Sequence, residues 1–157
     1  MAETKRFHIV VAEDNHADVI LIQEALALHR VQCEMDVISD GAEAIRYFLA
    51  LDINFRSPAP DVVLLDMHLP KYDGEEILKA LRSTRRTAEA PVIIMTGGSI
   101  AEVERIMQKD AALHYFRKSS SWEEFAQLGA IVQNLLELRK LSHSETNPTG
   151  STDRVGA

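Results

Sequence analysis

Five short apolar segments alternate along the chain with longer segments in which apolar residues recur every three or four positions. These segments are Phe7–Ala12, Glu34–Ile38, Val62–Leu65, Pro91–Thr96 and His114–Lys118, of which the second is a weaker strand pattern and the fifth is brief and aromatic. In the third of them the apolar residues follow one another without alternation, which is typical of a strand covered on both faces of a parallel sheet. The pattern therefore predicts an α/β fold, a doubly wound five-stranded parallel sheet with helices on both faces.

The helical segments are predicted over residues 17–29, 42–51, 75–83, 99–110 and 121–141. Ser99 and Ser121 each precede a glutamate by three residues, a capping-box pattern that marks a helix start. In the first helix, Asp18 is expected to face water. Residues 52–60 contain two prolines and form a loop longer than is usual between a helix and a strand, which suggests a surface with a function of its own.

The chain has 157 residues, of which 46% are hydrophobic, so it suits one globular domain with a substantial core. We expect that domain to occupy residues 1–141. Residues 142–157 are rich in Ser, Thr, Asn and Gly and are predicted to be a disordered tail, because they carry too little apolar surface to offset the entropy of ordering.

The formal net charge of −7 argues against a nucleic-acid or anionic-membrane partner. Basic residues form a single cluster in the sequence, made of Arg82, Arg85 and Arg86. We interpret this cluster as a solvated helix end. Cys33 is the single cysteine, which excludes an internal disulfide and fits a reducing compartment. Because no apolar run reaches the length of a membrane span, we expect a soluble cytoplasmic protein.

Polar residues follow the predicted strands where each strand ends. A parallel sheet would bring these residues together at one edge: Glu13, Asp14, Asp66, Thr96 and Lys118. Three carboxylates in one crevice repel one another unless a cation is present, and Mg²⁺ is the hard cation that accepts such oxygen ligands. Asp66 could then act as a nucleophile and become an aspartyl-phosphate, with Lys118, Thr96 and the amides of Gly97-Gly98 contacting the phosphoryl oxygens.

These features resemble the receiver domains of bacterial response regulators over about Phe7 to Leu141. The resemblance implies a flavodoxin-like (βα)5 fold with strand order 2-1-3-4-5, and a phosphoryl group accepted from a histidine kinase rather than enzymatic turnover. It makes Asp66 the phosphoacceptor and Lys118 the phosphate-contacting lysine. It also assigns a magnesium site to Glu13, Asp14, Asp66 and the backbone carbonyl of His68, a switch hydroxyl to Thr96 and a switch aromatic to Tyr115.

One position departs from the family pattern. Receivers commonly have a proline after the lysine, joined by a cis bond, whereas Ser119 follows Lys118 here. A cis bond before a non-proline residue costs about 2.5 to 4 kcal/mol, so the bond is either trans with a differently routed loop or cis and strained. This substitution, the long loop at 52–60 and the lack of an output domain resemble stand-alone receivers that partner phytochrome-type histidine kinases.

Other interpretations of the same residues remain open at this point. Glu13 and Asp14 could be ordinary acids at a helix start, Thr96 a strand-end residue and Tyr115 a packed aromatic. A haloacid-dehalogenase-like phosphohydrolase also uses an aspartate nucleophile, but such enzymes have D-x-D at that strand, and His68 occupies the second aspartate position here. A pseudo-receiver that only binds partners is a third possibility, against which the intact acidic and lysine positions count.

The last predicted helix is longer than the sheet beside it. It would span roughly 31 Å, whereas a six-residue strand covers about 20 Å. The excess carries Leu135, Leu136, Leu138 and Leu141, with Ile131 and Val132 leading into it, and suggests a homodimer face. The alternative is a helix that frays at this end.

Overall fold

A computed structural model describes residues 5–145 of the chain. Ten elements alternate along it: β1 (Phe7–Ala12), α1 (His16–Leu28), β2 (Cys33–Ile38), α2 (Gly41–Ala50), β3 (Val62–Asp66), α3 (Gly74–Ser83), β4 (Val92–Thr96), α4 (Ile100–Met107), β5 (Leu113–Arg117) and α5 (Trp122–Glu145). The five strands form one parallel sheet in the order β2-β1-β3-β4-β5. The predicted fold class and strand order are confirmed.

Most element boundaries lie within one or two residues of the predicted ones, as expected for helix ends that fray. Two differ more. Helix α4 ends at Met107 instead of residue 110, and α5 continues to Glu145. Residues 142–145 therefore belong to α5 and not to the predicted tail, whereas 146–157 lie outside the described residues. Although α5 has 24 residues, no helix in the described part of the chain is both long and apolar enough to cross a bilayer.

The sheet is covered on both faces because successive residues of each strand point to opposite sides. In β3, Val63 and Leu65 enter a cluster formed with α2, α3 and α4, while Val62 and Leu64 enter a second cluster formed with α1 and α5. All four side chains are fully buried. Burial of each contributes about 1.5 to 3 kcal/mol, which is why this strand has no polar alternation.

The strand register places the strand ends at a common edge. Ala12 of β1 pairs with Leu65 of β3, so the residues that follow them, Glu13 and Asp66, are neighbours. On the other side, Thr96 of β4 pairs with Arg117 of β5, immediately before Lys118. These pairings bring the ends of four strands, β1, β3, β4 and β5, to the carboxyl edge of the sheet.

Two of the three clustered arginines have structural partners, so their interpretation as a solvated helix end is wrong. The Arg86 guanidinium donates to the carbonyl oxygens of Leu51, Asn54 and Ser57, at 2.9, 3.1 and 2.5 Å. These carbonyls lie in the long loop before β3, where no sheet or helix partner satisfies them. Arg82 pairs with Asp110 at 2.5 Å, and Arg85 alone of the three is exposed. The loop is thus ordered by Arg86, at the amino edge of the sheet.

The C-terminal half of α5 presents fewer apolar residues to solvent than the sequence suggested. Leu135 is only 9% exposed because it packs into the cluster with α1, and Ile131 is partly buried against the same cluster. Leu138 and Leu141 are 64% and 63% exposed. Of the predicted dimer residues, Leu138 and Leu141 therefore lie at the surface, whereas Val132, Leu135 and Leu136 belong to the core.

Candidate functional site

The carboxyl edge of β1 supplies two acids with different surroundings. Glu13 is 1% exposed, and its Oε1 accepts a hydrogen bond of 3.0 Å from the backbone N–H of Asn15. Asp14 is exposed. Asn15 caps α1, since its side-chain oxygen accepts from the N–H of Ala17 at 3.0 Å. The tight turn from strand to helix holds both carboxyl groups at the sheet edge.

Asp66 lies at the end of β3 and is 6% exposed. Its Oδ1 accepts from the backbone N–H of His68 at 2.9 Å. One carboxylate oxygen from each of Glu13, Asp14 and Asp66 lies within 4.8 Å of the others. The structure therefore brings together the three acids that the sequence placed at this edge.

Lys118 reaches these acids from the end of β5. Its Nζ lies 2.6 Å from Glu13 Oε2, 2.9 Å from Asp18 Oδ2 and 3.0 Å from Asp66 Oδ2. The contacts with Asp18 and Asp66 are hydrogen bonds, and Glu13 is ion-paired with the same ammonium group. Lys118 thus links β5 to both β1 and β3 and to the start of α1.

Asp18 is a site residue that the sequence analysis missed. We expected it to face water, whereas its side chain is 19% exposed and bonded to Lys118. A signal was available in the sequence, because Asp18 lies in the first turn of a helix that begins at the carboxyl end of β1. An acid at that position faces the same sheet edge as Glu13 and Asp14.

Burial and ion pairing shift the pKa values of Glu13 and Lys118. Burial raises the pKa of Glu13 to about 7, although hydrogen bonds from Lys118 and the Asn15 amide oppose the rise. Burial alone would lower the pKa of Lys118, but hydrogen bonds to Glu13, Asp18 and Asp66 outweigh it and raise that pKa. Lys118 therefore stays charged, and Glu13 lies near the midpoint of its titration at neutral pH.

Thr96 and Gly97 form the neighbouring wall of the site. Thr96 is 2% exposed, and its hydroxyl oxygen accepts from the Gly98 N–H at 3.0 Å. The Lys118 N–H donates to the Thr96 carbonyl at 3.1 Å, which ties β5 to this wall. Gly97 is exposed, and a Cβ added there would meet no atom within 4 Å. The Thr96 hydroxyl can therefore still donate a hydrogen bond to another acceptor.

Tyr115 lies two residues before the β5 end, on the sheet face that packs against α2, α3 and α4. It is half-buried, and its hydroxyl is buried without a hydrogen-bonding partner among residues 5–145. The alternative of an ordinary packed aromatic with a solvated hydroxyl does not describe it.

The peptide bonds of the described chain are all trans. Of the two alternatives for the Lys118–Ser119 bond, the trans bond with a differently routed loop is therefore the one that applies.

The donor set at this edge consists of carboxylate oxygens beside one ammonium group. Hard divalent cations such as Mg²⁺ prefer oxygen ligands and leave positions for water and phosphate oxygens. Glu13, Asp14 and Asp66 fit that preference in ligand type and in spacing. An aspartate beside a cation site and a lysine can accept a phosphoryl group, since the cation and the ammonium group both stabilise the negative charge of the phosphoryl oxygens.

The fold and this arrangement define a receiver. The profile of the response regulator receiver domain matches residues 9–128, and the chain belongs to this family. Members of the family serve two-component signalling systems and are generally not classical enzymes. The fold, the aspartate at the β3 end and the acidic group beside it agree with this assignment.

Individual relatives include two response regulators, Rcp1 and RcpA. Response regulator Rcp1 of Synechocystis sp. is 33% identical over 88 residues, which are 56% of this chain and 60% of Rcp1. The crystal structure of the phosphorylated cyanobacterial phytochrome response regulator RcpA is 30% identical in sequence to this chain. The match covers 93% of this chain and 100% of RcpA, with a TM-score of 0.65. The Mn²⁺-bound form of Rcp1 is 27% identical, covers 83% of this chain and 95% of its own, and gives a TM-score of 0.71.

The phosphohydrolase alternative is not favoured by these findings. The family match spans the strands that carry the site, and His68 stands where those enzymes would need a second aspartate. The His68 side chain is exposed, and its backbone N–H, not its ring, contacts Asp66.

Proposed function

We propose that this chain is a phosphoryl-accepting signalling receiver in which Asp66 takes a phosphoryl group from a phosphohistidine of a histidine kinase. The observation that carries the proposal is the convergence of Glu13, Asp14, Asp66 and Lys118 at one sheet edge. Apart from the adjacent Glu13 and Asp14, these residues lie far from one another in sequence. Their meeting point has the charges and the nucleophile that phosphoryl transfer requires.

In the transfer step, a carboxylate oxygen of Asp66 forms a bond to phosphorus as the bond from phosphorus to the imidazole nitrogen breaks. The imidazole keeps the electron pair of the broken bond. Lys118 turns part of its hydrogen bonding from the carboxylates to the phosphoryl oxygens, and the Thr96 hydroxyl and the Gly97 N–H donate to the same oxygens. Hydrolysis of the acyl phosphate later returns Asp66 to its free form.

The site fits a magnesium ion held by Glu13, Asp14, Asp66 and the backbone carbonyl of His68. When bound, Mg²⁺ supplies positive charge against the phosphoryl oxygens and relieves the repulsion among the carboxylates. The raised pKa of Glu13 supports this assignment, because burial and the neighbouring Asp66 disfavour its ionised form, which a bound cation would stabilise. The Mn²⁺-bound form of the relative Rcp1 supports it independently.

We further propose that phosphorylation changes the face near α4, β5 and α5. The phosphoryl group would draw the Thr96 hydroxyl away from the Gly98 amide, and Tyr115 would follow into the space that Thr96 leaves. The unpartnered hydroxyl of Tyr115 supports this role, since a buried donor without a partner gains by finding one.

Replacement of the phosphoacceptor tests the proposal. The protein is incubated with acetyl phosphate, with and without Mg²⁺, and its intact mass is measured. We expect one acid-labile phosphoryl group in the wild-type chain only when Mg²⁺ is present, and none in Asp66→Asn. Asp73→Asn is the matched control, because Asp73 caps α3 away from the acid cluster and should leave incorporation unchanged. Incorporation at the wild-type level in Asp66→Asn would refute the assignment.

The same preparation tests whether the chain acts as an enzyme. We propose that it catalyses only its own phosphorylation and dephosphorylation, because one nucleophile is present and no second acid stands at position 68. With p-nitrophenyl phosphate as substrate, release should stay near one equivalent per chain within the lifetime of the aspartyl phosphate. Sustained turnover that requires Asp66 would point to a phosphohydrolase instead.

The partner is proposed to be a phytochrome-type histidine kinase. The support is the name of the relative RcpA and its match over 93% of this chain. Phosphoryl transfer from a panel of autophosphorylated kinases, followed over time, would test the pairing. A phytochrome-type kinase should transfer to this chain at least about tenfold faster than kinases of other classes. Equal rates would remove the proposal without affecting the role of Asp66.

A cytoplasmic location, a single receiver domain and self-association complete the proposal. The lone cysteine, Cys33, is only partly exposed and fits a reducing compartment.

The exposed Leu138 and Leu141 at the end of α5 support a homodimer face, with Ile131 at its margin. Sedimentation should show a concentration-dependent dimer that Leu138→Glu weakens. A monomer at high micromolar concentration in the wild-type chain would remove the dimer.

A further inference from the structure

Asp18 contacts the same ammonium group as the phosphoacceptor. The Nζ of Lys118 lies 2.9 Å from Asp18 Oδ2 and 3.0 Å from Asp66 Oδ2. Asp18 is 19% exposed and comes from α1, whereas Asp66 comes from β3. Two acids from different elements therefore share one cation.

An ordinary structural explanation of Asp18 exists and accounts for only part of these facts. Acids are favourable in the first turn of a helix, where they interact with the helix dipole. That interaction requires no contact with a residue of β5. A first-turn acid that only served the dipole could remain in water, as Glu24 does further along the same helix.

The crowding of carboxylates around Lys118 makes the contact functionally relevant. The ammonium nitrogen lies within 3.0 Å of an oxygen of Glu13, Asp18 and Asp66, and it donates hydrogen bonds to Asp18 and Asp66. A phosphoryl group on Asp66 would have to share the positive charge of Lys118 with these carboxylates. Glu13 and Asp66 belong to the cation site, and Asp18 does not lie among its three clustered acids.

We propose that Asp18 is a positioning residue that competes with the phosphoryl group for Lys118 and adds a negative charge to the magnesium site. This inference rests on the proposed phosphoryl-acceptor function and extends it. Asp18 lowers the affinity of the site for the phosphoryl group and raises its affinity for the divalent cation.

The two effects have opposite signs, which separates them from a loss of structure. One elementary charge at a partly buried site a few ångströms away changes an ionic equilibrium by roughly threefold to a hundredfold, depending on solvent screening. Removal of the charge should weaken Mg²⁺ binding and strengthen the binding of an anionic phosphoryl analogue. A damaged site would weaken both.

The experiment uses the full chain and two titrations. Mg²⁺ binding is measured by calorimetry, and beryllium fluoride, an analogue of the phosphoryl group on aspartate, is titrated at saturating Mg²⁺. The chain has a single tryptophan, Trp122, which begins α5 four residues after Lys118 and provides a fluorescence signal. The variants are Asp18→Asn, which can still accept a hydrogen bond from Lys118, and Asp18→Glu, which keeps the charge. Glu24→Gln is the control for an exposed charge on the same helix.

We expect Asp18→Asn to bind Mg²⁺ about threefold to tenfold more weakly and beryllium fluoride about threefold to tenfold more tightly. Asp18→Glu should keep both affinities within about twofold of the wild type, and so should Glu24→Gln. If Asp18→Asn weakens both ligands, or changes neither, the inference is overturned while the phosphoryl-acceptor function stands. If the wild-type chain binds no beryllium fluoride with Mg²⁺, both the function and the inference fail.

Discussion

Lys118 and Asp66 are joined by a hydrogen bond of 3.0 Å from Nζ to Oδ2, although 52 residues separate them in sequence. Their strands, β5 and β3, are not neighbours, because β4 lies between them. The lysine side chain therefore extends across the end of β4 to reach the aspartate. The contact couples the last strand of the sheet to the proposed phosphoacceptor, and it makes Lys118 a position where stability and function can be measured together.

Removal of the Lys118 charge should destabilise the metal-free protein. In Lys118→Met, three mostly buried carboxylates lose their shared cation, and we expect the free energy of unfolding to fall by about 1 to 3 kcal/mol. Mg²⁺ should restore more stability to this variant than to the wild type, since it replaces the missing positive charge. Urea denaturation with EDTA and with Mg²⁺ measures both effects. Lys79→Met, at an exposed position of α3, is the control, and equal losses in the two variants would contradict the prediction.

The raised pKa of Glu13 should make the metal-free protein less stable as pH rises. The pKa of this residue is about 7 when folded, against its ordinary value of 4.5. Between these values the unfolded chain loses the proton and the folded chain keeps it, so the free energy of unfolding falls from about pH 4.5 to pH 7. Glu13→Gln cannot ionise and should lack this component, which we expect to be about 1 to 3 kcal/mol. Denaturation in EDTA at several pH values would reveal it; parallel pH profiles for the two proteins would show that Glu13 is not responsible.

Arg86 should matter for stability and not for phosphorylation. In Arg86→Ala, the carbonyls of Leu51, Asn54 and Ser57 lose the guanidinium donor, and only that of Asn54 keeps another, from the Ser57 N–H, so we expect a loss of about 1 to 3 kcal/mol. The loop lies at the opposite sheet edge from Asp66, so phosphoryl incorporation should stay within about twofold. Arg85→Ala is the matched control, since that side chain is exposed, and should change stability by less than about 0.5 kcal/mol. A large loss of incorporation in Arg86→Ala, with the fold intact, would instead assign the loop a role in function.

A methyl group at Gly74 should disturb both the fold and the site. A Cβ there would overlap the Met67 side chain and lie 2.9 Å from Met67 Cα, which is backbone and cannot move freely. Because Met67 follows Asp66, we expect Gly74→Ala to lower the free energy of unfolding by about 1 to 3 kcal/mol and to weaken phosphoryl incorporation. Gly97→Ala has open space at the corresponding atom and should keep its stability within about 0.5 kcal/mol. Chemical denaturation of the two variants compares them directly, and similar losses would indicate that the contact with Met67 is not the cause.

The alternation of apolar segments was sufficient to predict the fold class, because burial on both faces of a parallel sheet leaves a distinctive run such as Val62–Leu65. The same pattern located the residues at the strand ends, including Glu13, Asp66 and Lys118. These are local properties, since each depends on where one strand stops. The strand order came from the family resemblance, because the pattern itself does not state which strands pair.

Contacts between distant side chains were decided only by the tertiary structure. Asp18 was expected to face water and Arg86 to be solvated, yet each has partners more than 25 residues away. Leu135 was expected at a surface and lies in the core beside α1. Sequence patterns report the average polarity of a helix face, whereas a long side chain such as Lys118 or Arg86 selects its partners by reach and by the unsatisfied charges or carbonyls that the fold places around it.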